Sequence, residues 1–147
     1  MTNVKKTKTK KPHVYSSKAE DKKYDLTFIR EEGNRKYDLE ERTTRFGKNI
    51  IEFAKLIPRN VITIPLIGQL VKAGTSVGAN YCEADDAESK KDFRHKIGIC
   101  KKESREIRFF LRMVVQAVSS LAKDAAPLIQ KAKELNLIFA SIRRKVS

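Results

Sequence analysis

The residues best suited to a chemical role are five cations that recur along one segment of the chain. Their spacings of seven, four, three and four residues place them on a single strip if the segment is an α-helix. At a rise of 1.5 Å per residue the strip would be about 27 Å long. A row of cations of that length can follow several phosphates of a nucleic-acid backbone. The five residues are Arg94, Lys101, Arg105, Arg108 and Arg112.

Two other interpretations of this strip stay open at this point. In the first, the cations pair with acids of a neighbouring helix, and in the second they only solvate one face of a basic protein. Phe109 lies near the strip and would offer an aromatic face on which a base can stack. The acids Glu103 and Glu106 are predicted to fall elsewhere around the helix.

Two further clusters of cations lie near the ends of the chain. Residues 1–23 contain eight Lys against two acids, which would add salt-dependent affinity for any nucleic acid or serve only as a solubilising tail. The second cluster closes the last predicted helix, where positive charge also complements the helix dipole. The cations of the two clusters are Lys5, Lys6, Lys8, Lys10 and Lys11, and Arg143, Arg144 and Lys145.

The overall composition is that of a basic, folded protein. The 147 residues include 32 Lys and Arg against 18 Asp and Glu, a net charge of +14, so the expected partners are polyanions. Hydrophobic residues make up 40% of the chain, which excludes a fully disordered protein. No apolar run approaches the ~20 residues of a membrane helix. We therefore expect a cytoplasmic protein of one domain without membrane association.

Signatures of catalysis and of metal binding are weak. His13 and His95 have no cysteine or carboxylate at ligand spacing, and Cys82 and Cys100 are expected to be reduced, buried thiols. One alternative is a metal-dependent nuclease that uses four acids between two predicted helices. These acids are Asp85, Asp86, Glu88 and Asp92. We predict a protein that is not an enzyme and has no catalytic residue, cofactor or metal.

The elements that must position these side chains are helices. Apolar residues recur at alternating spacings of four and three in three segments, which predicts helices packed about 20° from antiparallel. The first segment follows Asp38 and stops before Pro58, the next helix of this type is capped by Ser89, and the last follows Asp124. We predict an all-α fold, an antiparallel up-down four-helix bundle over residues 37–147, after a flexible basic arm over residues 1–36.

The second helix of this bundle, predicted from about Ile64 to Ala87, has an unusually narrow polar face. Two glycines in it each cost roughly 1 kcal/mol of helix propensity relative to Ala, which indicates a close approach of backbones. Either the helix is central within one subunit or it also meets a neighbouring subunit, and we favour self-association. The predicted interface residues are Gly74, Gly78, Val71 and Ile67.

Several stretches of the sequence resemble the four-helix-bundle proteins encoded in intervening sequences of bacterial 23S rRNA genes. Residues 37–43 (YDLEERT) resemble the opening of that family, residues 69–84 (QLVKAGTSVGANYCEA) its central signature, and residues 91–97 (KDFRHKI) and 102–106 (KESRE) its third helix. The match covers about residues 37–145. The sequence departs from the family pattern at Ala73, where Ser is common, and in its longer N-terminal arm.

The resemblance implies a four-helix bundle, a ring-like homopentamer and an association with nucleic acid, without catalytic residues. The family is similar in fold to the accessory variability proteins of diversity-generating retroelements, which bind a reverse transcriptase and nucleic acid. We therefore predict a non-enzymatic, homo-oligomeric accessory or scaffold protein that binds RNA or single-stranded nucleic acid, with a reverse transcriptase as an implied partner. The alternative is a protein–protein adaptor of the same family without a direct role on nucleic acid.

Overall fold

Apolar residues at alternating spacings of three and four form α-helices throughout residues 39–146, the part of the chain that the computed structural model describes. Short connections join each helix to the next, and no strand occurs within these residues, which confirms the predicted all-α four-helix bundle. A single turn of 3-10 helix, Ser119–Leu121, precedes the last helix. The helices are α1 (Leu39–Lys55), α2 (Thr63–Asp85), α3 (Lys90–Ala117) and α4 (Ala122–Lys145).

Helix α3 is the best-covered element of the bundle. It packs extensively against both α2 and α4, and α2 also packs against α1, whereas α1 and α4 touch only lightly. Nine apolar or small positions are predicted for the core side of this segment, and all are buried except Val118, which is half-buried. They are Phe93, Ile97, Cys100, Ser104, Ile107, Leu111, Val114, Val118 and Leu121. Val118 and Leu121 lie beyond the end of the helix at Ala117, in the connection to α4. The core side of α3 therefore agrees with the prediction, and the opposite side of the helix faces solvent.

Local hydrogen bonds explain where the helices begin. The Ser89 hydroxyl accepts from the Asp92 backbone N–H at 3.0 Å, which confirms the predicted cap of α3. The start of α2 was not predicted in detail: the Asn60 side chain accepts from the Thr63 N–H at 2.9 Å, and the Thr63 hydroxyl accepts from the Asn60 N–H at 3.0 Å. Helix α4 begins at Ala122, so Asp124 lies inside its first turn and is not its cap.

The glycines of α2 allow a close approach to α1 of the same chain. A β-carbon added to Gly74 would lie 2.6 Å from Cγ2 of Ile50, and one added to Gly47 would lie 3.2 Å from the Gly74 carbonyl oxygen. A β-carbon on Gly78 would lie 3.4 Å from the Thr43 hydroxyl. The close approach that these glycines indicate is therefore a contact within one subunit. The predicted place of Gly74 and Gly78 at a subunit interface stays a prediction, and the contact with α1 is a sufficient reason for both glycines.

The other two residues predicted for that interface lie differently. Ile67 and Val71 are half-buried and keep part of their surface accessible on α2. Ile64, one turn before Ile67, is 58% exposed. An apolar surface therefore remains in the first half of α2, on the same stripe of the helix as the glycines that face α1.

Some predictions fall outside the described residues. They are the basic arm of residues 1–36, which includes the cluster from Lys5 to Lys11, and the Asp38 cap of α1. Within residues 39–146, no helix is both long enough and apolar enough to traverse a membrane.

Candidate nucleic-acid interface

The five cations of the predicted strip lie along one side of α3. The helix is continuous from Lys90 to Ala117, so the strip keeps the geometry expected from its spacing. Arg94, Arg105 and Arg112 are exposed, whereas Lys101 and Arg108 are half-buried. The strip thus borders the bundle and has three side chains free to reach into solvent.

None of these five cations forms an ion pair with another residue of the segment 39–146. One ion pair that does join α3 to a neighbouring helix involves Lys96, whose Nζ lies 2.6 Å from Oε2 of Glu83 on α2. The interpretation in which the strip is neutralised by acids of a neighbouring helix therefore finds no support in the described residues.

Arg143 of α4 fills the one gap in the strip. Gly98 stands between Arg94 and Lys101, and a β-carbon added there would lie 3.2 Å from Nε and 3.4 Å from Cζ of Arg143. The Arg143 side chain therefore crosses α3 at the only strip position without a side chain. Its Nε is buried and has no hydrogen-bond partner among the described residues. We call the five cations of the strip together with Arg143 the basic face.

From its position in the sequence, Arg143 was predicted to belong to a separate cluster of cations at the end of α4. In the structure, Arg143 is the member of that cluster that lies against the strip. Arg144 is exposed, and Lys145 is half-buried and has its own partner. Spacing along the chain gives no signal for the contact between Gly98 and Arg143, because it depends on how α3 and α4 pack.

Positive charge is concentrated in the two helices that form the basic face. Helix α3 carries nine Lys and Arg against three acids, and α4 carries six against two. Helix α1 carries four against three, and α2 has a single Lys against two acids. The charge of the described residues is therefore strongly polarised toward α3 and α4.

An open groove of about 920 Å³ runs over the exposed side of α3. Asn136 of α4 is fixed at its edge, since its side-chain N–H donates to the Lys101 carbonyl oxygen at 2.8 Å. Phe109 is 52% exposed in the groove. Its lining residues are Gln69, Gly98, Lys101, Lys102, Arg105, Glu106, Phe109, Phe110, Asn136 and Arg143.

One acid of α3, Glu106, shares the groove with several of the cations. Glu106 lines the groove together with Lys102 and Arg105, so it does not lie apart from the site. Burial, together with the negative charge of Glu106, raises the pKa of the Glu103 carboxyl. The groove therefore contains a local negative group on a mainly positive surface.

The other residues considered for chemistry are not assembled into a site. Within residues 39–146, no three His, Cys, Asp or Glu side chains are grouped so that they could hold a metal ion. Both cysteines are free thiols, but only Cys100 is buried, so the expectation of a buried Cys82 is wrong. Burial raises the pKa of Cys100 to about 12.

Comparisons with known proteins agree with the fold. Residues 35–141 match the family model described as 23S rRNA-intervening sequence protein. A solved structure from Bacteroides thetaiotaomicron, described as a protein with unknown function from the S23 ribosomal protein family, is 25% identical with a TM-score of 0.66. The match covers 71% of this chain and 97% of that chain. No curated protein matches this chain.

Proposed function

The chain belongs to the 23S rRNA-intervening sequence protein family, and we propose that it is an accessory protein that binds RNA or single-stranded nucleic acid along its basic face. The observation that carries the proposal is the row of cations on α3, completed by Arg143, without ion-pair partners among residues 39–146. Such cations can contact phosphates and release counterions without first breaking an ion pair within the protein.

The lining of the groove supports a binding role rather than a catalytic one. It consists of four cations, two side-chain amides, two phenyl rings, a glycine and one carboxylate, that of Glu106. The cations, amides and rings recognise phosphates and bases, and Glu106 is the one side chain of this lining that could act as a general acid or base.

Self-association is the second part of the proposal, and the surface of α2 is the feature that supports it. Chains with a net charge of +14 repel each other, so two copies approach most easily through the least charged surface. Helix α2 has one cation and presents Ile64, Ile67 and Val71 at its surface. A ring of five subunits follows from the family resemblance alone.

A reverse transcriptase is the partner enzyme that we propose from the resemblance to the accessory proteins of retroelements. Co-purification with the tagged full-length chain tests this part independently of nucleic-acid binding. Recovery of the polymerase after nuclease treatment would support a direct protein contact. Its absence from the purified protein would contradict that contact.

Charge reversal on the basic face tests the binding site. The variant combines Arg94→Glu, Arg105→Glu and Arg112→Glu, which are the exposed members of the strip; Arg108 is left unchanged because its Nε is buried. We expect much weaker binding to a labelled single-stranded RNA in fluorescence anisotropy. The slope of log affinity against log salt should fall by about 2, since each phosphate contact contributes about 0.7 for a single strand.

A matched variant controls for net charge. Lys48→Glu, Arg59→Glu and Lys123→Glu change the charge by the same amount at exposed cations outside the basic face. Circular dichroism should show native helicity for both variants. An equal loss of affinity in both would mean that binding depends on total charge and not on the basic face. Salt-independent or absent binding by the unmodified protein would favour the protein–protein adaptor.

A further inference from the structure

Phe109 is a large apolar side chain at the centre of a charged surface. It is 52% exposed, although folding usually buries a phenyl ring. It lies four residues after Arg105 and three before Arg112, both of which are exposed. These two arginines are about 10.5 Å apart along the helix axis, and Phe109 lies between them in the sequence of the helix.

The Phe109 ring is held in place by its neighbour. The rings of Phe109 and Phe110 meet edge to face, with centroids 5.3 Å apart and an angle of 80° between their planes. Phe110 is half-buried and packs against the hydrophobic core. An edge-to-face contact of this kind occupies an edge of one ring and leaves ring faces available to a ligand.

The surroundings of the ring decide which ligand it suits. The groove that contains Phe109 also contains Lys101, Lys102, Arg105 and Arg143. An apolar protein partner would have to desolvate these cations, which is unfavourable without matching acids. A nucleic-acid strand supplies phosphates for the cations and an aromatic base for the ring.

We propose that Phe109 stacks on an unpaired base while the arginines beside it hold the flanking phosphates, so that the groove selects single-stranded over double-stranded nucleic acid. This inference rests on the proposed function. In a duplex the faces of the bases are covered by their stacked neighbours, and a ring on the convex surface of a helix cannot reach them. The four bases all have an aromatic face, so the selection is for strandedness and not for sequence.

The test measures separately how much the bases and the phosphates contribute to binding. Affinities of the full chain are measured by anisotropy for a single strand of about 12 nucleotides, the corresponding duplex, and an abasic strand with the same phosphates. The single strand is measured both as RNA and as DNA, because both offer phosphates and bases and the comparison shows which of the two the protein prefers. We expect the single strand to bind more tightly than both the duplex and the abasic strand.

The decisive variant is Phe109→Leu, which keeps an apolar side chain and removes the ring. It should weaken binding of the single strand by roughly 5- to 150-fold, the range for the loss of one stacked base, and leave the abasic strand unaffected. Phe109→Tyr should restore the affinity. Leu137→Ala, at another exposed apolar residue on α4 (60% exposed), should have no effect.

The outcomes distinguish the two proposals. If the unmodified protein binds the abasic strand and the base-containing strand equally, and Phe109→Leu changes neither, stacking is overturned while phosphate binding stands. If the unmodified protein binds none of the strands, the proposed function itself fails. If Phe109→Leu alters only the mass of the protein in light scattering, Phe109 is a subunit contact and the inference is overturned.

Discussion

A single missing side chain, at Gly98, allows a cation from another helix to join the basic face. Arg143 passes over α3 where any other residue would bring a β-carbon to 3.2 Å from its Nε. The added β-carbon would contact a long, flexible side chain and not a backbone atom. Substitution at this position therefore tests the position of the Arg143 cation without disturbing the bundle.

For Gly98→Ala we expect stability and binding to change in opposite directions. The free energy of unfolding should rise by up to ~1 kcal/mol, because Ala is the better helix former. Binding of single-stranded RNA should weaken, because Arg143 is displaced from the gap between Arg94 and Lys101. Denaturant unfolding and anisotropy measure the two effects.

Gly68→Ala is the matched control for this prediction. Gly68 lies inside α2, and an added β-carbon there meets nothing within 4 Å. It should gain similar stability and keep full affinity for RNA. If Gly98→Ala also kept full affinity, Arg143 would not contribute to the basic face.

The Cys100 thiol gives a residue-scale prediction for pH dependence. Burial raises its pKa from an ordinary value of 9.0 to about 12 in the folded protein. Above pH 9 the unfolded chain therefore loses this proton while the folded chain keeps it, and stability falls as the pH rises from about 9 toward 12.

This prediction is measured by comparing the unmodified protein with Cys100→Ala in denaturant unfolding at pH 8 and pH 10. The free-energy advantage of the unmodified protein should be smaller at pH 10. Under native conditions at pH 8, alkylation should modify the exposed Cys82 and spare Cys100. An unchanged difference between the two pH values would contradict the burial of this thiol.

At the scale of the elements, one stripe of α2 carries both a close contact with α1 and a partly exposed apolar surface. Its glycines allow α1 to approach closely, as the 2.6 Å distance from an added Gly74 β-carbon to Ile50 shows. Ile64, Ile67 and Val71 leave an apolar surface that the helices of the same subunit do not fully cover. Gly74 lowers the helix propensity of α2 but allows close packing within the subunit. The apolar surface supports the proposed self-association.

The variant Ile64→Glu tests this surface of α2. Ile64 is 58% exposed, so the subunit itself should fold normally. A carboxylate buried in an apolar subunit contact costs several kcal/mol, so we expect light scattering to show a shift toward the monomer mass. Leu137→Glu places the same charge at an equally exposed residue of α4 and should leave the mass unchanged. An oligomer that survives Ile64→Glu would place the contact elsewhere.

At the scale of the whole molecule, the two kinds of surface are separated. The described cations are concentrated on α3 and α4, while α2 is apolar and carries only Lys72 as a cation. Subunits that associate through α2 would keep their basic faces accessible. Several basic faces in one assembly would increase affinity for a long strand through avidity, beyond what one face of about 27 Å provides.

The sequence by itself determined the helices and the position of residues around each of them. The alternation of three and four residues is a local property, so the core side of α3 and the strip of cations beside it could be predicted from residues 93–112 alone. The Ser89 cap was predicted for the same reason. The start of α4 was not predicted correctly, because the 3-10 turn that precedes it carries no comparable capping signal.

Only the tertiary structure decided which helix surfaces meet. Gly98 and Arg143 are 45 residues apart, and no local period links them. The partner of Gly74 proved to be Ile50 of the same chain, and Glu106 proved to share a groove with Arg105. Helical periodicity fixes the direction of a side chain relative to its own axis, whereas the rotation and separation of packed helices depend on how all their side chains fit together.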